Sequence, residues 1–266
     1  MLLRKRTLPV LACAGVLLAG CTAGGDGAPG TAARPEAAAG TAPGGEGAGA
    51  DGQSGRAGRS APEPQADRSG EIPALGPGTR AAIPAASRQA VVVTGDGPDA
   101  NRATAVLYER EAADRGWKPV SDTWHGHNAL KGWTDDHRQG DLRSPIGVFG
   151  LSDAGGRLPD PGTKLPYDRG PAFSISGRGF EGEPLAGSFD YVVAVDYNRK
   201  PGTTPLDWTR PLGVGKGGGI WLHVDHGGPT QGCVSLPRGR MKELLRWLDP
   251  VKKPVVVMGD AQALAR

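Results

Sequence analysis

Short apolar stretches after residue 88 predict a series of β-strands. Residues 89–94 form a strand candidate that a Gly-Asp-Gly-Pro turn ends. In residues 103–110 the side chains alternate between two faces as in a strand, and a helix capped at Asn101 is the alternative for this stretch. A third strand is predicted at residues 117–120, after a turn that contains glycine. Three short strands in succession predict a β-meander.

The second half of the chain contains further strands and one helix. Strands are predicted at residues 148–149, 189–199 and 255–258, where β-branched and aromatic side chains cluster. Pro237 suits the first turn of a helix, and the apolar residues that follow at i, i+3, i+4 and i+7 form one face. These residues are Met241, Leu244, Leu245 and Leu248. The pattern predicts a mainly β domain of about 180 residues, which is enough for one core.

Composition divides the chain into two unlike parts. Its 266 residues include 44 glycines and 24 prolines, more than one compact domain of this length is expected to contain. Residues 22–87 contain few large apolar side chains, so burial cannot offset the entropy of ordering them. We therefore predict a flexible tether at residues 21–87 and a folded domain at residues 88–266.

The first twenty residues are typical of a bacterial targeting segment. Basic residues precede an apolar run at residues 8–18 that is too short to span a bilayer comfortably. The sequence Leu18-Ala19-Gly20-Cys21 resembles a lipobox, which predicts a signal peptide at residues 1–20 and a lipid on Cys21. A secretory signal cut elsewhere is the alternative. A lipid anchor would hold the chain on the outer face of the cytoplasmic membrane.

The charge of the chain gives little indication of a partner. The formal net charge of +3 is near neutral for this length, and no basic block or interleaving of aromatic and basic residues occurs. A nucleic acid is therefore not expected to bind.

A run near the C-terminus brings a histidine and a cysteine together. Residues 220–225 alternate like a strand, and a Gly-Gly-Pro sequence ends it. His223 lies on this strand, and Cys233 follows a tight loop that can fold it back beside the strand. A neighbouring imidazole can take the thiol proton and hold a thiolate as an ion pair, as nucleophilic thiol catalysis requires. The N–H groups of Gly232 and Cys233, with Gln231 beside them, are predicted to face the oxygen of an attacked carbonyl.

Two segments resemble the L,D-transpeptidase catalytic domain family of the YkuD type. The sequence Thr230-Gln231-Gly232-Cys233, with His223 on the strand before it, is similar to the Ser/Thr-His-Gly-Cys nucleophile motif of that family. Residues 140–149 resemble the segment that borders the family's substrate cleft. The resemblance covers most of residues 88–260. It implies a YkuD-like β-sandwich or barrel with one helix in the C-terminal region and few short helices.

The chain departs from the family pattern at two positions. Gln231 stands where many members have a second histidine, and Ser235 stands where many have arginine or asparagine. The Leu-His-Val and Gly-Cys-Val-Ser-Leu sequences of this chain are similar to those of a subgroup of actinobacterial-looking lipoproteins, so the departures resemble a subfamily trait.

The resemblance implies a transpeptidase that acts on peptidoglycan stem peptides, both as donor and as acceptor. Cys233 would attack the carbonyl of the third residue of a tetrapeptide stem, release D-alanine and form a thioester. An amine of a neighbouring stem would resolve the thioester to a 3→3 cross-link. His223 is the expected base and His226 the alternative, while Asp225 or Gln231 could orient the imidazole. Further candidates for contact with the substrate are Asn198, Arg199 and Ser235.

Three alternatives remain open at this stage. With water as the acceptor, the same thiol would give an L,D-carboxypeptidase or endopeptidase. The departures at Gln231 and Ser235 also fit a wall-binding lipoprotein whose catalytic site has decayed. A zinc site could be built on His125 and His127 together with the histidine and cysteine run, but no Cys-x-x-Cys or His-Glu-x-x-His spacing occurs. We expect neither a metal nor a cofactor.

Overall fold

The computed structural model describes residues 70–266. The predicted signal peptide, the lipidation site Cys21 and the predicted tether up to residue 69 lie outside the described residues. Within the described part the structure contains thirteen β-strands and three α-helices. The mainly β fold class predicted from the sequence is therefore confirmed.

The elements of residues 70–266 have the following bounds. The strands are β1 (Gln89–Gly95), β2 (Arg102–Glu109), β3 (Lys118–Pro119), β4 (Trp124–His127), β5 (Trp133–Thr134), β6 (Ser144–Pro145), β7 (Gly147–Gly150), β8 (Ala154–Gly156), β9 (Tyr167–Arg169), β10 (Val192–Ala194), β11 (Trp221–Val224), β12 (Val234–Leu236) and β13 (Val255–Asp260). The helices are α1 (Pro77–Ala82), α2 (Arg238–Trp247) and α3 (Ala261–Leu264).

Eleven strands form one mixed sheet, which curls into a half-barrel. Its order is β7-β13-β1-β2-β4-β12-β11-β10-β8-β9, with β3 paired to β2. The strands β1, β2 and β3 are successive antiparallel neighbours, which confirms the predicted meander. The strands β11 and β12 are parallel neighbours in the sheet. The remaining two strands, β5 and β6, form a small parallel sheet of their own.

Strand β1 is covered on both faces, because its alternating side chains enter two different apolar clusters. Val91 and Val93 belong to the main core, whereas Ala90 and Val92 belong to a second, smaller cluster. A strand that is buried on both faces has a continuous apolar sequence rather than an alternating one. This explains the uninterrupted valines that predicted the strand.

The second cluster also includes the N-terminal part of the described chain. Ile72 and Leu75 are buried in this cluster together with Leu264. The backbone N–H of Gly78 donates to the carbonyl of Arg266 at 2.9 Å. The folded part of the chain therefore extends N-terminally of the start predicted at residue 88.

Helix α2 closes the main core. The four apolar residues that predicted it, from Met241 to Leu248, are fully buried in that core. Burial of each such side chain contributes roughly 1.5–3 kcal/mol. Pro237 occupies the N-cap, one position before the first turn in which it was predicted. No helix within residues 70–266 has both the length and the apolar character that a membrane span requires.

Candidate active site

The parallel strands β11 and β12 position the predicted nucleophile. In their register His223 lies opposite Ser235, so Cys233 precedes β12 at the level of Trp221. The N–H of Trp221 donates to the Sγ of Cys233 at 3.4 Å. The thiol in turn donates to the carbonyl of Gly219 at 3.6 Å. The sulfur is thus held against the start of the strand that carries the histidine.

One cavity of about 480 Å³ is lined by both Cys233 and His223. Cys233 is half-buried and so remains open to the cavity, whereas His223 is only 3% exposed. Much of the remaining wall is apolar, with contributions from Ile175, Phe180, Leu185, Phe189, Leu206 and Trp208. The structure thus brings together the imidazole and the thiol that the sequence placed on either side of a tight loop.

The backbone fixes the tautomer of His223. Its Nδ1 lies 3.0 Å from the carbonyl oxygen of Val224. A carbonyl oxygen can only accept, so Nδ1 carries the proton and Nε2 keeps a free lone pair. The ring lies between Phe189, edge-on at 5.4 Å between centroids, and His226, stacked at 5.8 Å. His223 is therefore a neutral base that is held in one orientation.

Burial keeps both members of the pair in their neutral forms. It raises the pKa of the Cys233 thiol to about 11, although the N–H of Trp221 acts in the opposite direction. It also lowers the pKa of His223 to about 4, with the carbonyl of Val224 opposing. The ion pair expected from the sequence is therefore not the favoured form of the free site. The proton has to move as the sulfur attacks.

Two hydroxyl groups hold the loop that carries the nucleophile. Thr230 Oγ1 donates to the carbonyl of Cys233 at 2.6 Å, and Ser144 Oγ donates to the same carbonyl at 3.2 Å. Ser144 belongs to residues 140–149, the second segment that carries the family resemblance, and Gly140 of that segment lines the cavity. This segment therefore borders the nucleophile loop.

Gly232 leaves space beside the nucleophile. A Cβ added to Gly232 would lie 3.1 Å from Ile220 and 3.5 Å from His137. The distance to Ile220 is shorter than an ordinary van der Waals contact. The N–H groups of Gly232 and Cys233 donate to no acceptor within residues 70–266. The neighbouring side chain of Gln231 is exposed and also lines the cavity.

His226, the alternative base, is held by a carboxylate from a distant loop. Its Nδ1 lies 3.1 Å from Oε1 of Glu183, and the two side chains are 6% and 10% exposed. His226 lines the same cavity as His223. The cavity therefore contains two imidazoles, one tied to a backbone carbonyl and one tied to a carboxylate.

Asp225 does not orient His223, contrary to one of the predictions. Its Oδ1 accepts from Ser235 Oγ at 2.7 Å and lies 2.8 Å from Nδ1 of His127. Burial raises the pKa of Asp225, but the hydrogen bonds from His127 and Ser235 outweigh burial and bring it to about 2. Ser235 is fully buried in this network, so its role is structural and it is not open to a substrate.

The histidines of the zinc alternative do not form a metal cluster. Nδ1 of His127 lies 2.8 Å from Oδ1 of Asp225, and His125 is exposed. Within residues 70–266 no group of three or more His, Cys, Asp or Glu side chains could hold a metal ion.

Asn198 and Arg199 hold loops together and do not line the cavity. Asn198 Nδ2 donates to two carbonyls of residues 213–217, at 3.0 and 2.6 Å. Arg199 Nη1 pairs with the buried Asp153 at 2.9 Å and with the half-buried Asp196 at 2.6 Å. These contacts correct the expectation that the two side chains hold a substrate carboxylate. Asn198 also adopts a left-handed φ of 44°, and the strand predicted at residues 189–199 is reduced to β10.

Sequence reasoning missed several residues that line the cavity. His137 is 5% exposed, and burial lowers its pKa. Its Nδ1 lies 3.2 Å from Oδ1 of Asp141 but is not aligned for a hydrogen bond. Trp208 and Arg210 enter the wall from the loop before β11. No sequence motif marks these residues, because only the folded chain brings them to the cavity.

Residues 99–257 match the family model of the L,D-transpeptidase catalytic domain, YkuD, which covers more than half of the chain. No curated protein sequence matches the chain. Among solved structures, the helical cell shape determining protein Pgp2 from Campylobacter jejuni is similar, with 17% sequence identity and a TM-score of 0.37. The similarity covers 67% of this chain and 52% of that protein, so this chain spans about half of its length.

Proposed function

This chain belongs to the family of L,D-transpeptidase catalytic domains, and from this premise we propose that it is a cysteine-dependent L,D-transpeptidase that forms 3→3 cross-links. Cys233 is the proposed nucleophile and His223 the proposed base. The substrates are two peptidoglycan stem peptides, a donor tetrapeptide and an acceptor that supplies an amine.

In the first step the Sγ of Cys233 attacks the carbonyl carbon of the third donor residue. The thiol proton moves to Nε2 of His223 as the carbon–sulfur bond forms. The oxygen becomes an oxyanion, which accepts hydrogen bonds from the N–H groups of Gly232 and Cys233. Collapse of the intermediate breaks the peptide C–N bond, and His223 returns the proton to the amine of the leaving D-alanine. A thioester on Cys233 and free D-alanine result.

In the second step the amine nitrogen of the acceptor attacks the thioester carbonyl. A new C–N bond forms, the carbon–sulfur bond breaks, and His223 passes the amine proton to the sulfur. The neutral thiol and imidazole of the free site are restored. Water in place of the amine would release a free tripeptide stem by the same proton movements.

The proposal rests chiefly on the fixed tautomer of His223. Because Nδ1 donates to Val224, the free lone pair of Nε2 is the proton acceptor that a neutral thiol needs. The cavity shared with Cys233 supplies space for a peptide.

Intact-mass spectrometry of the purified protein with a tetrapeptide donor, or with a carbapenem, tests this function. We expect the wild-type protein to gain the mass of the acyl group on Cys233, and Cys233→Ala to gain none. His223→Gln should acylate about 10²- to 10⁴-fold more slowly, because it removes the general base. His125→Gln is the matched control, since His125 is exposed, and it should acylate at the wild-type rate.

Acylation of Cys233→Ala at another residue would contradict the assignment of the nucleophile. Cross-linked dimers formed with an added acceptor stem support transfer. Release of tripeptide alone would assign an L,D-carboxypeptidase or endopeptidase instead. An unmodified Cys233 in a protein that still binds cell wall would assign a binding function.

We also propose that Cys21 carries a lipid, as its lipobox-like sequence indicates. The protein would then work at the outer face of the cytoplasmic membrane. Cys21→Ser should move the protein from the membrane fraction to the soluble fraction, and an unchanged distribution would contradict the anchor.

A further inference from the structure

Arg210 is a charged residue of the cavity wall that the proposed mechanism does not use. It lies in the loop before β11 and is half-buried. Its Nη1 donates to the backbone carbonyls of Asp207 and Thr209, at 3.2 and 3.1 Å. The guanidinium also lies over the ring of Trp208, 4.9 Å from its centroid. Three neighbouring residues thus hold the group in place before any ligand binds.

Two glycines shortly before β11, Gly218 and Gly219, leave space for the side chain of Arg210. A Cβ added to Gly218 would lie 2.4 Å from Nε of Arg210, and one added to Gly219 would lie 3.4 Å from Nη2. A side chain at Gly218 would therefore displace the guanidinium. Gly219 is also the residue whose carbonyl accepts from the thiol of Cys233. The arginine and the nucleophile contact the same short stretch of backbone.

The positive charge of Arg210 is not neutralised by a carboxylate. It forms no ion pair within the described chain, and no described acceptor takes up Nε or Nη2. The wall of the cavity contains two arginines, Arg178 and Arg210, but one carboxylate, that of Asp207. A half-buried guanidinium with free donors fits a carboxylate better than any other common group, because the two can pair through parallel hydrogen bonds.

The distance from Arg210 to the sulfur limits where that carboxylate sits. The contacts through Gly219 place Nη2 within about 10 Å of the Sγ of Cys233. An extended peptide covers this distance in about three residues. A donor carboxylate bound by Arg210 would therefore lie within about three residues of the carbonyl under attack.

We propose that Arg210 is a specificity residue that binds a carboxylate of the donor stem, an inference that rests on the proposed function. Two donor carboxylates come into question. One is the C-terminal carboxylate of the leaving residue, which departs when the thioester forms. The other is a side-chain carboxylate of the third residue, in donors that carry one, and it stays on the enzyme in the thioester.

Binding measurements on Cys233→Ala separate this inference from turnover. Isothermal titration calorimetry would compare Cys233→Ala with Cys233→Ala/Arg210→Gln, using a donor tetrapeptide that has both carboxylates. We expect the dissociation constant to rise about 10- to 100-fold, as for the loss of a charge-assisted pair. Arg246→Gln in the same Cys233→Ala background is the control for a general charge effect, because it removes one positive charge from an exposed residue of α2, and it should leave the dissociation constant unchanged.

Two modified donors identify the carboxylate. The first donor has an amide in place of its C-terminal carboxylate. The second has an amide in place of the side-chain carboxylate of the third residue. For one of these two donors, Arg210→Gln should leave the dissociation constant unchanged. The carboxylate that is missing from that donor is then the group that Arg210 binds. An equal loss with all three donors, or no loss with the unmodified one, would overturn the inference.

The same variant also has a readout that is independent of peptides. Iodoacetamide is small and neutral, so it should alkylate Cys233 at the same rate in Arg210→Gln as in the wild type, which shows that the site is intact. Binding that depends on Arg210 in a protein whose wild type forms no thioester would refute the proposed transpeptidase and still support the carboxylate site. If no donor binds to Cys233→Ala, the carboxylate site is refuted as well.

Discussion

At the scale of single residues, burial disfavours the charged form of both Cys233 and His223. Removal from water disfavours the thiolate of Cys233 and the imidazolium of His223, so both pKa shifts favour a neutral pair. In the reaction proposed above, the oxyanion differs from these two groups, because the N–H groups of Gly232 and Cys233 would donate to it. Under that proposal the site stabilises charge on the reacting substrate and not on the resting sulfur.

The resting thiol leads to a spectroscopic prediction. The difference in ultraviolet thiolate absorbance between the wild type and Cys233→Ala should stay near zero between about pH 5 and pH 8 and rise only in alkaline solution. The reason is that burial raises the pKa of Cys233 to about 11 and lowers that of His223 to about 4. A plateau of thiolate absorbance that begins in acid would indicate a preformed ion pair and contradict this prediction.

The buried imidazole of His223 should also make folding stability depend on pH. Its pKa is about 4 in the folded state and about 6.5 in an unfolded chain, so between these values the unfolded chain binds the extra proton. The free energy of unfolding should therefore fall as the pH falls through this window, by about 3 kcal/mol from this residue, and stay constant above it. Urea unfolding at several pH values would measure the effect.

His223→Gln provides the comparison for that experiment. The difference in unfolding free energy between the wild type and this variant should depend on pH within the window, because other titrating groups, such as His137 and Asp225, are common to both proteins. A constant difference would show that the ring is protonated as readily in the folded protein as in water.

The sequence indicated the location of some candidate residues and not of others, for a physical reason. His223 and Cys233 are ten positions apart on a strand and the loop that follows it, so local rules sufficed to bring them together. Asn198 and Arg199 are also polar and were candidates for substrate contact. In the folded chain, however, Asn198 donates to the carbonyl of Gly217 and Arg199 pairs with Asp153. Arg210 lacked any motif because its position depends on the packing of a long loop.

At the scale of elements, the loop of residues 225–233 is tied to residues 140–149, because the hydroxyls of Thr230 and Ser144 both donate to the carbonyl of Cys233. Thr230→Val should lower the free energy of unfolding by about 1 kcal/mol, because it removes the 2.6 Å hydrogen bond of a buried hydroxyl and keeps the side-chain shape. Urea denaturation would measure the change.

Thr230→Ser is the matched variant for this hydrogen bond. It keeps the hydroxyl and loses only a methyl group, so it should be closer to the wild type than Thr230→Val is. If the serine variant loses as much stability as the valine variant, the methyl contact and not the hydrogen bond holds the loop.

Elements with long apolar patterns were predicted, whereas several of the very short ones were not. Strands β1, β2 and β13 and helix α2 each bury many side chains, so their sequences carry a clear period. Strands β5 and β6 have two residues each and pair only with each other, with Trp133 opposite Ser144. Such pairs leave no period in the sequence and depend on the fold around them.

At the scale of the whole molecule, residues 72–82 are part of the folded domain. A chain that starts at residue 88 should be less stable than one that starts at residue 70, by roughly 3–6 kcal/mol, because it loses the buried side chains of Ile72 and Leu75. Thermal and urea unfolding of the two chains would measure the difference. Equal stability would mean that this segment packs without contributing to the fold.

The protonated sulfur of Cys233 has one more consequence, for the lifetime of the protein. Peroxides and exchanging disulfides react with thiolates and hardly at all with thiols. A cysteine that stays protonated in the free site is slow to form sulfenic acid or a mixed disulfide. We therefore expect the burial that keeps Cys233 protonated also to protect it from oxidation.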